Sequence, residues 1–160
     1  MKNKKVSNNL SLYEKSNSIE SICITFSDKV RVLYRELLLC CDDAKVRQLM
    51  ANKLCIELCK CFGLKQVVEL RVCNVPQDSR TVNGVCVSKT SGKYIHSQNM
   101  IVVFNKTAVR KQIVSIKVFS DTLLHEFAHY LDHSYYRFNE SIHTSGFYKR
   151  IFDLKEKLKT

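Results

Sequence analysis

Two amphipathic helices are indicated in the first third of the chain. Apolar residues recur at helical spacing in SDKVRVLYRELLLCCDD, where Ser27 or Asp28 is placed to cap the first turn. A second helical pattern follows in DAKVRQLMANKLCIELCKCFG, which Asp42 or Asp43 can open and Gly63 can close. We expect both helices to form part of the core scaffold.

The pattern then changes to the alternation typical of strands. QVVELRVCNV is rich in β-branched residues and ends at Pro76, while RTVNGVCVS and KTSGKYIHS contain an Asn-Gly and a Ser-Gly turn. The apolar run Met100 to Asn105 suits a buried strand, and an extended peptide could pair with it if it lies at a sheet edge. Residues 107–116 are compatible with a helix or a loop. We expect a small mixed or antiparallel sheet of three or four strands.

A third long helix is predicted in FSDTLLHEFAHYLDHS, residues 119–134. Ser120 is a suitable N-cap, and Asp121 favours the positive end of the helix dipole. One more helix is expected to begin at Thr144 or Ser145. The order of elements predicts an α+β fold: N-terminal helices, a small sheet, a histidine-rich helix and a C-terminal helix.

The composition fits one globular domain. The chain has 160 residues, and 45% of them are hydrophobic, a share typical of a globular protein. The start is polar, so we expect residues 1–20 to form a mobile tail and residues 21–160 to form a single domain. We find no signal peptide and no membrane-spanning stretch, which predicts a cytoplasmic protein. Its eight cysteines lack metal-cluster spacing and are expected to be reduced and buried.

The net charge of +11 is unevenly distributed. Residues 79–120 contain no Asp or Glu. The cations of this acid-free segment are Arg80, Lys89, Lys93, Lys106, Arg110, Lys111 and Lys117. Two interpretations stay open: a solvated basic face, or a surface that binds DNA or an acidic protein partner, with Lys106, Arg110 and Lys111 as the proposed nucleic-acid contacts.

The histidine-rich helix contains the pattern His-Glu-x-x-His at His125, Glu126 and His129. Residues four apart lie about 40° apart around a helix and about 6 Å apart along it, so both imidazoles can bind one metal ion. Zinc accepts neutral histidine nitrogens, and a catalytic zinc site keeps one position for water. The carboxylate of Glu126 lies beside the histidine pair, where it can take a proton from that water.

A third ligand must come from elsewhere in the sequence. His143 is our choice, because it follows the motif by enough residues for the chain to reverse before the next helix. Glu140 is the alternative ligand, since many zinc peptidases use a glutamate from a second helix. His133 ranks last because it lies about 12 Å from His125 by helical rise alone.

Other residues near the motif are candidates for supporting roles. Asp121 and Asp132 are spaced to hold the second nitrogen of a ligand histidine. Candidates for stabilising a developing oxyanion are Tyr135, Tyr136, Tyr148 and Arg137.

The string LLHEFAHYLD, followed by HTSGFYKRI, resembles the SprT-like and Spartan-related zinc metallopeptidases. In that family a His-Glu-x-x-His helix is followed by a loop and a His-x-x-x-Phe element, which His143 and Phe147 match. The resemblance covers about half the chain and implies a minimal zincin-like, gluzincin-like domain. It implies zinc bound by His125, His129 and His143, with Glu126 as general base. The same string also resembles MtfA-like peptidases, whose third ligand is a glutamate.

The sequence therefore predicts a zinc-dependent metallopeptidase that binds one zinc ion and cleaves protein or peptide substrates. Spartan-type enzymes act on proteins attached to DNA, so DNA-associated substrates are one expectation. The alternative is a nucleic-acid-binding or interaction module whose zinc site is structural or inactive.

Overall fold

The computed structural model describes residues 10–160, which form an α+β fold, as predicted. The helices within this range are α1 (Leu12–Ser18), α2 (Asp28–Leu39), α3 (Ala44–Cys61), α4 (Ile116–Ser134) and α5 (Ser145–Lys159). The strands are β1 (Glu69–Pro76), β2 (Asp78–Val82), β3 (Val85–Thr90), β4 (Gly92–Ile95) and β5 (Met100–Lys106), with a short 3₁₀ helix at His96–Gln98.

The main sheet has three strands in the order β1-β5-β4. β1 pairs in parallel with β5, and β4 pairs antiparallel to it. β5 is buried at every position from Met100 to Asn105, as expected for a central strand covered on both faces. The possible edge position of this strand is therefore excluded, and β4 occupies that edge.

The strands β2 and β3 form a separate, exposed hairpin. Its turn is the predicted Asn-Gly pair, and both residues have positive φ angles, 50° at Asn83 and 77° at Gly84. The predicted Ser-Gly turn lies between β3 and β4. The expected three- or four-stranded sheet is thus a mixed three-stranded sheet plus this hairpin.

The predicted ends of the first two long helices are confirmed. Ser27 caps α2 by accepting from the backbone N–H of Val30, and Asp43 caps α3. Gly63 follows α3 with a φ of 64°, the left-handed conformation that ends helices. Both helices contribute to one buried apolar cluster that also takes side chains from β1, β5, α4 and α5.

Helix α4 begins earlier than predicted. Ser115, not Ser120, is its N-cap and accepts from the backbone N–H of Val118. Ser120 is buried inside the helix and donates to the carbonyl of Lys117, since the apolar pattern continues backwards through Phe119 and Ile116. The preceding segment, residues 107–115, is a loop. Five residues are thereby added to the helix before the motif.

The start of the chain also differs from expectation. Residues 1–9 of the predicted tail lie outside the described range. Over residues 12–18 the structure contains helix α1, which begins with a capping box between Ser11 and Glu14 and packs on α5. A polar sequence can form this helix for two reasons. The cap supplies hydrogen-bond partners for the backbone N–H groups of the first turn, and Ser16 is buried against α5.

Helix α4 packs across β4 and β5, and α5 packs against α4. The middle of α4 therefore lies beside the edge strand β4 on one side and the start of α5 on the other. Within residues 10–160, no helix is long and apolar enough to cross a membrane.

Candidate metal centre

Three histidines converge at the middle of α4. His125 and His129 lie one turn apart on the helix, and their Nε2 atoms are 3.2 Å apart. The chain reverses after α4 and brings in His143, directly before Thr144, the N-cap of α5. Its Nε2 lies 3.1 Å from that of His125 and 3.0 Å from that of His129. The three nitrogens form a nearly equilateral triangle.

This triangle has the size that a zinc ion requires. A tetrahedral zinc with Zn–N bonds of about 2.0–2.1 Å places any two ligand nitrogens about 3.3 Å apart. The observed separations of 3.0–3.2 Å are close to that value. The three histidines also line a cleft of about 770 Å³, which leaves space for water or a substrate beside the triangle. The donor set and its spacing fit a metal site with one open position.

The protonation of the histidines suits metal binding. Burial, with smaller contributions from the neighbouring His125 and His143, lowers the pKa of His129 to about 3. Burial also lowers the pKa of His125, again with a contribution from His143. Both rings are therefore neutral at neutral pH, the state in which imidazole binds a metal ion.

Hydrogen bonds orient His129. Its Nδ1 lies 2.6 Å from Oγ of Ser141, and that hydroxyl donates to Oδ2 of Asp132 at 2.8 Å. Because the hydroxyl proton is directed to the carboxylate, Ser141 accepts the Nδ1 proton of His129. The lone pair of His129 is then on Nε2, the atom in the triangle. Asp132 thus supports His129, as its spacing suggested, but through a serine.

Glu126 faces the same cleft from the adjacent position on α4. Its side chain is buried, with 7% of its surface exposed, and burial raises its pKa to about 7. The backbone N–H of Tyr94 opposes this rise by hydrogen bonding to the carboxylate. A carboxylate with a pKa near neutrality is suited to exchange protons with a reacting group.

The edge strand β4 approaches α4 closely because Gly92 has no side chain. A Cβ atom at Gly92 would lie 2.6 Å from Cγ2 of Thr122 and 3.1 Å from Cγ of Glu126. This close approach places the strand directly beside the carboxylate.

The two alternative ligands lie apart from the triangle. Glu140 is exposed in the loop between α4 and α5 and does not line the cleft. His133 lines one end of the cleft, where Nδ1 is 3.0 Å from the carbonyl oxygen of Phe138 and the ring stacks on His96 at 4.0 Å. The structure brings together only His125, His129 and His143 of the five candidate ligands.

The residues that the sequence suggested for supporting roles also divide into those that line the cleft and those that pack in the core. Asp121 pairs with Lys155 at 2.8 Å. Of the four candidates for oxyanion stabilisation, Tyr148 lines the cleft, with its ring 5.7 Å from that of His143. Tyr135 and Tyr136 pack against the apolar core instead.

Five of the seven basic residues of the acid-free segment fall into two groups. Lys106, Arg110 and Lys111 lie at the end of β5 and in the loop that follows it, where Arg110 and Lys111 are exposed. Lys89 and Lys93 line the cleft, and Lys93 pairs with Asp78 at 3.4 Å.

Sequence reasoning missed several residues of this site. Ser141 carries no recognisable motif, and its role depends on a loop that brings it to His129. His96 also carries no recognisable motif; it is exposed, lines the cleft and stacks on His133. The Ser-Gly turn did signal Gly92, but not its contact with Glu126.

No protein-family model matches the sequence, and no match was found among curated proteins or solved structures. The chemical interpretation of the cleft therefore rests on the residues that line it.

Proposed function

We propose that this protein is a zinc-dependent metallopeptidase that hydrolyses peptide bonds. The observation that carries the proposal is the triangle of three Nε2 atoms with the buried carboxylate of Glu126 beside it in one cleft. The resemblance to SprT-like peptidases supports it, because His143 belongs to the triangle. Phe147 of the same element is fully buried, with ring centroids 4.6 Å from His129 and 5.2 Å from His143.

His125, His129 and His143 would hold the zinc ion as neutral ligands. Zinc in such a site supplies Lewis acidity, which polarises a carbonyl and acidifies water. Phe147 limits the movement of the imidazole rings, and Ser141 fixes the tautomer of His129. The chain therefore contributes a preorganised set of donor atoms.

Glu126 would act as the general base. One of its carboxylate oxygens takes a proton from the attacking water and later returns it to the leaving amine. Burial favours the neutral form of this side chain, which makes the carboxylate a stronger base than an exposed glutamate. Tyr148 lines the cleft and would donate a hydrogen bond to the developing oxyanion.

An extended substrate would bind along β4. This strand lies at the edge of the main sheet, and both Gly92 and Tyr94 line the cleft. A peptide that adds to this edge has its backbone held next to Glu126. The sequence offered the strand from Met100 for this pairing on condition that it lay at a sheet edge. Because that strand is central, we assign the pairing to β4.

Removal of zinc tests this function. The purified protein is expected to contain about one zinc ion per chain and to cleave an unfolded protein substrate. Dialysis against a chelator should abolish cleavage, and added zinc should restore it, as followed by elemental analysis and by gel electrophoresis. Zinc binding without cleavage would favour the alternative, a binding module with a structural or inactive zinc site. Absence of zinc binding would contradict both.

We further propose that the loop after β5 recruits DNA, or an acidic protein, and so brings substrate to the cleft. Arg110 and Lys111 are exposed there, and no acidic residue occurs anywhere from residue 79 to residue 120. Phosphate contacts would make such binding depend on salt.

Replacing Lys106, Arg110 and Lys111 by glutamine is expected to weaken binding to a DNA duplex. If all three contact phosphates, the slope of log K against log salt should fall by about 2.7. Fluorescence anisotropy at several salt concentrations measures both quantities. The matched control replaces three exposed lysines of α3, namely Lys45, Lys53 and Lys60. Equal losses in both triple variants would show that only net charge matters and would remove the loop from the proposal.

A further inference from the structure

Arg150, on α5, is a buried arginine that joins two distant parts of the chain. Only 2% of its surface is exposed. Its Nη1 donates to the carbonyls of Ser16 and Ile19 at 2.7 and 2.8 Å, at the end of α1. Its Nη2 donates to Oδ1 of Asp132 at 2.9 Å and to Oγ of Ser16 at 3.2 Å. The guanidinium therefore connects α1 to α4.

The connection continues to the metal centre. The second carboxylate oxygen of Asp132 accepts from Ser141, whose hydroxyl accepts from Nδ1 of His129. A continuous chain of hydrogen bonds thus runs from the backbone of α1 through Arg150, Asp132 and Ser141 to a ligand histidine. Asp132 is fully buried, so its charge depends on these partners for compensation.

A second contact joins α1 to the other side of the centre. Oγ of Ser16 lies 2.8 Å from the hydroxyl of Thr144, the residue directly after His143. The N–H of Gly146 donates to the side chain of Asn17 at 2.9 Å. A Cβ atom at Gly146 would lie 2.2 Å from the carbonyl oxygen of Ser16, so glycine is required for α1 to sit this close.

We propose that α1 is a positioning element of the metal centre: its docking on Arg150, Thr144 and Gly146 fixes His129 and His143 in the geometry that binds zinc. This inference rests on the proposed zinc-dependent function and adds a means of regulating it. When α1 leaves, Arg150 loses its backbone acceptors and turns towards water. Asp132 and Ser141 then hold His129 less firmly, and the N-cap of α5 is free to move with His143.

The test is the zinc affinity of full-length variants, measured by competition with a chromophoric chelator. Gly146→Ala introduces a Cβ that collides with the carbonyl oxygen of Ser16, so it displaces α1 from the first link of the hydrogen-bonded chain and leaves Asp132 and Ser141 unchanged. Ser141→Ala cuts that chain and leaves the α1 contact intact. Each is expected to weaken zinc binding about tenfold, the size of effect typical of outer partners of metal ligands. Ser145→Ala, at an exposed neighbouring position, is the matched control for Gly146→Ala. Ser141→Thr, which keeps the hydroxyl, is the control for Ser141→Ala.

The double variant Gly146→Ala/Ser141→Ala separates positioning from general destabilisation. If both substitutions act through one chain, the double variant should bind zinc little worse than the weaker single variant. Losses that multiply would overturn the proposal. Ser16→Leu removes the contact from the α1 side, and wild-type zinc affinity in both this variant and Gly146→Ala would also overturn it. If the wild type binds no zinc, the proposed function itself fails; if it binds zinc and the variants match it, only the role of α1 fails.

Discussion

Replacing Glu126 by glutamine is expected to slow peptide hydrolysis about a thousandfold while zinc affinity stays close to that of the wild type. The amide has nearly the shape of the carboxylate but cannot take a proton from water. Glu126 is not part of the nitrogen triangle, so zinc binding does not depend on its charge for a ligand atom. Cleavage of a fluorogenic peptide and a parallel zinc titration measure the two effects.

Asp121→Asn is the matched control for this substitution. It makes the same carboxylate-to-amide change on the same helix and at the same cleft, where Asp121 pairs with Lys155. The control should retain hydrolysis of the same order as the wild type. Should Glu126→Gln cleave as fast as Asp121→Asn, Glu126 is not the general base and the proposed mechanism is wrong.

The elements that the sequence predicted well are those with local signals. Ser27, Asp43 and Gly63 mark helix ends through their own side chain or conformational freedom, and the structure uses each as expected. The Asn-Gly turn is equally local, since both residues adopt the positive φ angles of a tight hairpin. Such signals depend on at most a few neighbouring residues.

The start of α4 shows where a local signal misleads. Ser120 and Ser115 are both suitable N-caps, and only the packing of Phe119 in the core decides between them. The sequence left open whether the strand from Met100 lies at the sheet edge, for a related reason. An apolar run predicts burial of the strand from Met100, but the burial of a strand on both faces places it in the centre of the sheet.

The partners of the buried arginines required tertiary information. Arg47 and Arg150 are both buried, although arginine is among the residues least often found inside a protein. Each is tolerated because the fold supplies partners from distant segments, such as Asn105 for Arg47 and Ser16 for Arg150. No spacing in the sequence reveals these pairs, because they are separated by 58 and 134 residues.

The convergence of His125 and His129 was predictable because helix geometry alone places them together. The third member of the candidate site was a choice among three residues, and the fold brings Nε2 of one of them, His143, to within 3.1 Å of the Nε2 atoms of the other two. The selection arises because the chain reverses between α4 and α5, and the residue before the N-cap of α5 then faces α4.

Replacing His143 by alanine is therefore expected to weaken zinc binding at least about a hundredfold, more than the loss of an outer partner of a ligand. Two nitrogens remain, and the ion loses one of its three protein bonds. His143 is exposed, so its removal leaves no buried cavity, and the melting temperature of the metal-free protein should change little. Isothermal titration or chelator competition measures the affinity, and circular dichroism measures the melting temperature.

His133→Ala and Glu140→Ala complete this experiment as controls. His133 is a histidine on the same helix, and Glu140 is the acidic residue of the same loop, so each shares one property with a ligand without belonging to the triangle. Both variants should bind zinc nearly as tightly as the wild type. A loss in Glu140→Ala that equals the loss in His143→Ala would mean that the loop rearranges when zinc binds. In that case Glu140, and not His143 alone, would complete the zinc site.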